Sequence, residues 1–132
     1  MRFTTTYAKT KVSGRIGHSV KFVWKFSGGV YSVTWGLAND GTNYIDRRLL
    51  SLNGRGDDVL SPGLVPVAYR GRVNGTRTGD WSSGQASFTL YNVTKDDERF
   101  YGCLLTPDDP NFRDSTDFVQ LVVVGMYLFR ER

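Results

Sequence analysis

The sequence predicts an all-β fold, a sandwich or a barrel, on three observations. Apolar and polar residues alternate with period two in several short segments, no stretch keeps a helical period for three turns, and turn-forming residues separate the segments. The composition agrees. Aromatic residues make up 14% of the 132 residues, β-branched residues are plentiful, and the 15 glycines are scattered between apolar stretches, which suits pleated, half-buried strands. This length fits one domain that can bury a core without metals or several disulfides.

The opening segment, Met1-Arg2-Phe3-Thr4-Thr5-Thr6, lacks the apolar centre of a secretion signal, and no apolar run reaches membrane-spanning length. The chain therefore reads as an excised ectodomain, with Met1 as an expression start. Val20, Phe22 and Trp24 alternate with Lys21 and Val23; Val33, Trp35 and Leu37 alternate with Thr34 and Gly36; Phe88 and Leu90 alternate with Ser87, Thr89 and Tyr91. Each segment is predicted to be a strand with one buried face. Ser27-Gly28-Gly29, Asp40-Gly41, Asn53-Gly54-Arg55-Gly56 and Ser61-Pro62-Gly63 supply the turns. Asp40-Gly41 is the sharpest hairpin signal, because the favoured tight turn needs positive φ at both central residues.

Specific residues then narrow the class. Asp97-Glu98-Arg99-Phe100-Tyr101-Gly102-Cys103 resembles the approach to strand F of an immunoglobulin variable-type (V-set) domain, with Tyr101 as the corner tyrosine. Residues 86–94 are similar to strand E and its turn, Arg47-Arg48-Leu49-Leu50-Ser51-Leu52 to strand C′, and Trp35 to the core tryptophan of strand C. The resemblance implies an immunoglobulin-like V-set β-sandwich over residues 1–124, with residues 125–132 linking toward a following domain or stalk. It also implies an Arg72 to Asp97 ion pair closing one end, since V-set domains carry such a pair between strand D and the approach to strand F.

Two departures from the family pattern matter. Cys103 is the sole cysteine, and Trp24 occupies the strand B position that normally holds its partner, so the inter-sheet disulfide is lacking. Trp24 is expected to pack on Cys103 and Trp35, leaving Cys103 a buried thiol; an intermolecular disulfide is the alternative. Strand G, residues 116–124, lacks the glycine-rich bulge of rearranging antigen receptors. The pattern is closer to V-set domains of adhesion molecules and innate receptors, and also resembles the membrane-distal domains of cnidarian allorecognition receptors.

Chemistry finds little support in the sequence. A net charge of +4 comes from 17 Lys and Arg spread among 13 Asp and Glu, without the basic run that nucleic acid would call for. His18 is the only histidine, so no metal, cofactor or catalytic residue is expected, and neither is an enzyme. Asp96-Asp97 and Asp108-Asp109 read as an ion-pair partner and a solvated loop rather than a calcium site. Arg55-Gly56-Asp57 spells an integrin-binding tripeptide whose use depends on its presentation.

A binding surface remains. In V-set domains it is commonly the front sheet of strands G, F, C and C′, and parity sends Thr34, Gly36, Gly102 and Leu104 outward there. The two glycines would leave a shallow centre flanked by Tyr44 and Phe118 and rimmed by Asp46, Arg47 and Arg48, with Phe112 and Arg113 in the F–G loop. The partner expected is a protein, namely another copy on an apposed cell, with no nucleic acid and no direct membrane contact by this segment. The protein would then form the extracellular portion of a plasma-membrane receptor. Asn74 and Asn92 begin glycosylation acceptor triplets away from that face. The alternative function is a soluble immune-type module binding a protein or glycan through its loops, with Trp81 and Tyr91 as candidate sugar-stacking residues.

Overall fold

The structure is a computed structural model that describes residues 1–55, 57–79 and 83–125. Nine strands run through those residues: β1 (Arg2–Phe3), β2 (Lys11–Arg15), β3 (Val20–Ser27), β4 (Val30–Ala38), β5 (Arg47–Leu52), β6 (Val73–Gly79), β7 (Ser83–Leu90), β8 (Phe100–Pro107) and β9 (Ser115–Val124). They form a back sheet in the order β1-β3-β7-β6 and a front sheet in the order β2-β9-β8-β4-β5. In immunoglobulin lettering these are A-B-E-D and A′-G-F-C-C′, the V-set arrangement. Neighbouring strands are antiparallel except β2 and β9, which run parallel.

Alternation places the core. Phe22, Trp24 and Phe26 of β3 face Val33, Trp35 and Leu37 of β4 across the sandwich, and β8 adds Tyr101, Cys103 and Leu105, all at most 5% exposed. Trp35 pairs with Cys103 on one side and Leu50 on the other. Its indole stacks on Phe88, with ring centroids 5.9 Å apart. The edge of the same indole lies against Gly75 of β6, where an added methyl would come within about 2.6 Å of it. Sheet packing this close leaves the Trp35 Nε1 buried without a hydrogen-bond partner.

Trp24 departs from expectation. Its ring neighbours are Tyr7, edge-on at 5.2 Å, and Phe22, rather than Trp35. Its Nε1 donates a 2.8 Å hydrogen bond to Oδ2 of Asp117, which is 7% exposed on the inward face of β9. The same carboxylate accepts the backbone N–H groups of Tyr7, at 2.6 Å, and Ala8, at 3.0 Å. Here strand A leaves the back sheet for the front one. The switch requires positive φ at Ala8 (49°) and Lys9 (66°), a conformation that disfavours side chains with a Cβ, and Asp117 ties it down.

The end of the sandwich nearest the β7–β8 connection is closed by a hydrogen-bonded cluster. Arg72, just before β6, grips Asp97 with both guanidinium nitrogens, at 2.5 and 3.3 Å, and reaches the Asn92 and Ala68 carbonyls. Asp97 also caps its own short 3-10 turn, Lys95–Asp97, by accepting the Thr94 N–H at 2.8 Å. The Tyr101 hydroxyl donates to the Asp97 carbonyl at 2.6 Å, which leaves Tyr69 as donor in the 3.1 Å contact between the two hydroxyls.

One expected turn is corrected. Asp40-Gly41 does not make a two-residue hairpin, because β4 ends at Ala38 and β5 begins at Arg47. Gly41 alone takes positive φ, 86°, in a turn closed by Thr42 N–H on the Asn39 carbonyl. Ile45, later in that connection, folds back over the front sheet. Residues 126–132, most of the expected link, lie outside the described residues.

Burial pushes the Cys103 thiol well above its ordinary 9.0, with the charge of Asp117 adding to the effect, and burial likewise raises Tyr101 above its ordinary 10.0. Groups with raised pKa values stabilise the fold fully below their unfolded values and lose that contribution as pH rises. Unfolding free energy from urea titrations should therefore hold up to about pH 9 and decline beyond it, by up to ~1.4 kcal/mol per pH unit per group. Cys103→Ala and Tyr101→Phe should each flatten the decline, and the native thiol should resist labelling at neutral pH.

Candidate functional site: the outer face of the front sheet

The outer face is built from alternate residues of β9, β8, β4 and β5. Register aligns Thr116, Leu104, Thr34 and Ser51 in one row, and Phe118, Gly102, Gly36 and Arg48 in the next. A β-bulge between Trp35 and Gly36 shifts β5 by one residue, so Trp35 opposes Leu50 while Gly36 opposes Arg48.

The centre is not the shallow opening expected. Gly36 and Gly102 are buried, and the chain covers them itself. Ile45, from the connection between β4 and β5, lies over both glycines, and the Phe118 ring lies against Gly102. A methyl on Gly102 would sit about 2.8 Å from Phe118, and one on Gly36 would strike the Arg47 carbonyl and Ile45. Phe118 is only 6% exposed, and Thr34, at 4%, spends its hydroxyl on Ser51 at 2.8 Å. Thr34, Gly36, Gly102 and Phe118 therefore support the face from within instead of offering a surface. The physical reason is that the β4–β5 connection is long enough to fold an isoleucine into the gap that two glycines leave.

The residues left available lie at the two ends of the face. Tyr44, 61% exposed, projects at the end where β4 runs toward β5, a few residues before exposed Arg47 and Arg48 in the chain. Phe112, 58% exposed, projects at the opposite end in the F–G loop, next to exposed Arg113. Leu104 is half-buried between them. Tyr31 at the start of β4 is 60% exposed and stands at the F–G end, a residue the sequence reading missed. Arg77 of β6 fixes its backbone, reaching through the sandwich to the Val30 and Tyr31 carbonyls.

The F–G loop is itself shaped. Asp108 N–H bonds the Gly29 carbonyl, Phe112 N–H bonds the Asp109 carbonyl, and the Asp109 carboxylate accepts the Asn111 N–H at 2.9 Å. Such a turn presents Phe112 with little freedom left to lose on binding. Beside β5, residues 58 and 59 add a short bridge to Leu52 and Ser51.

The other singled-out residues lie elsewhere. Cys103 is fully buried with a raised pKa, so its thiolate is not available as a nucleophile, and His18 is exposed ahead of β3. Among the described residues, no group of three or more His, Cys, Asp or Glu side chains is placed to hold a metal, and no helix is long and apolar enough to cross a membrane. Asn74 is exposed on β6 of the back sheet, and Asn92 is exposed in the β7–β8 connection, at the end of the sandwich that Arg72 closes. Arg55 and Asp57 are exposed around the Asn53 side chain, which accepts both their N–H groups, while Gly56 between them lies outside the described residues, as does Trp81.

Comparison with known proteins gives structural likeness only. No family model and no curated protein matches the chain. Among solved structures the chain is similar to murine CRIg, with a TM-score of 0.67 and 18% identity over 92% of this chain and 96% of that one. In all, 1786 solved chains match, so the fold is shown and, at such identity, the fold alone. The chain has an all-β immunoglobulin-like V-set sandwich without an inter-sheet disulfide. The narrower resemblance to cnidarian allorecognition receptors gains no support from these comparisons.

Two measurements check the site geometry. Gly36→Ala should destabilise the protein by about 1–3 kcal/mol through overpacking against Ile45 and the β5 backbone, read from urea midpoints. Asp117→Ala should cost about 2–4 kcal/mol, since it strands the buried Trp24 N–H and two backbone N–H groups.

Proposed function

We propose that this chain is the extracellular recognition domain of a cell-surface protein. On this reading it binds a protein partner through the ends of its front sheet and its F–G loop, and that partner is another copy on an apposed cell. The observation that carries the proposal is the pair of exposed aromatics at opposite ends of one face, Tyr44 at 61% and Phe112 at 58%. Aromatic and arginine side chains supply most of the binding energy at protein interfaces, and each of these aromatics has exposed arginines close by in the chain, Arg47 and Arg48 after Tyr44 and Arg113 after Phe112. Ile45 and Leu104 give the middle of the face an apolar character suited to an interface core.

A glycan at Asn74 would sit over the back sheet and one at Asn92 at the end of the sandwich, which leaves the outer face of the front sheet open, as a membrane glycoprotein with this binding mode requires. The buried Cys103 and the lone exposed His18 offer no catalytic pair, so the reading is recognition without chemistry.

Sedimentation velocity across a concentration series, together with aggregation of beads coated with the domain, tests the proposal. Self-association is expected, with Tyr44→Ala and Phe112→Ala each weakening it about tenfold. A strict monomer that leaves beads dispersed and instead binds glycans on an array would overturn it. Glycan mapping on protein from a eukaryotic host should find modification at Asn74 and Asn92.

A further inference from the structure

The segment ahead of β2 is anchored by its side chains but ends in a turn that its own sequence disfavours. Met1, Phe3 and Tyr7 pack against the hydrophobic core, the Thr4 N–H bonds the Lys25 carbonyl at 2.8 Å, and the Tyr7 hydroxyl accepts the Val23 N–H at 2.9 Å. Strand β1 itself adds only two register pairs, Arg2 with Ser27 and Phe3 with Phe26. After Tyr7 comes a turn closed by the Thr10 N–H on the Tyr7 carbonyl at 2.9 Å, and both of its central residues have positive φ, Ala8 at 49° and Lys9 at 66°. Two successive positive φ values mark a type I′ turn, which Asn-Gly, Asp-Gly and Gly-Gly fill best because a Cβ is crowded in the left-handed region. Ala-Lys is a poor pair for it. Among the described residues, Asn92 is the one other non-glycine with positive φ.

The mismatch has a simple release. When Ala8 and Lys9 straighten, residues 1–7 leave their own β3, and the same residues of a second copy fill the place, remaking the anchoring contacts and the Asp117 bonds between chains. Exchange of identical elements sacrifices few contacts, and a short strained hinge favours it. The bonds given up are those the turn makes, Thr10 N–H to the Tyr7 carbonyl and Lys9 N–H to the Phe118 carbonyl. Ala8 and Thr10 are exposed, so water replaces such partners readily and two copies have access to each other's turn. Each exchanged pair frees two strained residues in both chains.

We propose that two copies of this chain exchange residues 1–7, each inserting its Phe3 and Tyr7 beside the other's β3, with Ala8 and Lys9 as the hinge. The partner is a second copy, and the surface it recognises is the strip along β3 that the chain's own segment otherwise covers. This association is separate from the front-face reading and rests on none of its side chains.

A disulfide trap in the full chain tests it. Arg2→Cys with Ser27→Cys puts one cysteine on each strand of a register pair, and directly opposed Cα atoms in antiparallel strands lie about 4.5–5.5 Å apart, within disulfide reach. In a closed chain the new bond forms within one chain, and in an exchanged pair it joins two. After incubation at high concentration, oxidation and dilution, a covalent dimer is expected on a non-reducing gel, with peptide mapping placing the bond between the two introduced cysteines. Adding Ala8→Asn and Lys9→Gly, which suit the turn, should cut the dimer yield at least about tenfold, and adding Ala8→Val, which suits it less, should raise it. Circular dichroism establishes that each variant is folded. Size exclusion of the chain without introduced cysteines, with and without Ala8→Asn and Lys9→Gly, gives the same comparison should the trap disturb folding. Chains bonded only within themselves at every concentration, or a dimer yield indifferent to the turn substitutions, would overturn the exchange. Self-association that Tyr44→Ala and Phe112→Ala weaken, with no bond between chains, would also overturn it while leaving the front-face reading standing.

Discussion

The carboxylate of Asp117 is the point on which the two sheets depend. It stands inside the core beside Cys103, where the opposite strand would ordinarily be joined by a covalent bond, and accepts three N–H groups. One comes from Trp24 of the back sheet, and two come from the stretch where strand A changes sheets. A buried anion is costly unless its oxygens are well bonded. Here the donors are an indole and two backbone amides, so the anion also fixes the position of the chain that supplies them. Tyr7 extends the arrangement, since its hydroxyl accepts the Val23 N–H at 2.9 Å and its ring packs on Trp24. The vacancy left by a disulfide is thus filled by an aromatic pair and a carboxylate, which hold geometry rather than connectivity.

At the end away from the F–G loop, Arg72, Asp97, Tyr101 and Tyr69 do similar work by other means. Asp97 serves the guanidinium with its side chain and the tyrosine hydroxyl with its backbone, so one residue binds the approach to β6 to the start of β8. The Arg72 guanidinium also lies 5.7 Å from the Tyr69 ring centroid, and Asp97 holds it more firmly protonated than an ordinary arginine. Arg77 plays a comparable part at the opposite end. The sandwich is therefore tied near both ends and through its middle.

Much of this was legible in the sequence, and the limits have physical causes. Strands β3, β4, β7 and β8 announced themselves because one face of each is buried and alternation survives. The Arg72–Asp97 contact followed from a family likeness carried by residues close in the chain to Tyr101. Strands β1 and β2 did not show, the first having two residues and the second carrying Gly14 where an apolar residue would have marked the pattern. Asp117 could have been placed inward by parity with Val119 and Leu121, yet a lone acid in a strand gives no hint of the donors waiting for it. The misjudged centre of the front face has the clearest cause. Parity says which way a glycine faces, but only the path of residues 39–46 says that Ile45 comes back to cover it.

The absence of a covalent bond between the sheets changes what the domain does under tension. β2 and β9 run parallel through five register pairs, from Lys11 with Gln120 to Arg15 with Val124, so a pull that separates them loads those hydrogen bonds side by side rather than one after another. That patch acts as a mechanical clamp. In a domain with a bond from strand B to strand F, rupture would release only the chain outside the cross-link. Here, once the clamp yields, no cross-link limits extension of the segment between residues 15 and 120. A contact between cells built on such domains would thus have a compliant reserve behind it, lengthening under load where a cross-linked domain would pass the force straight to the interface.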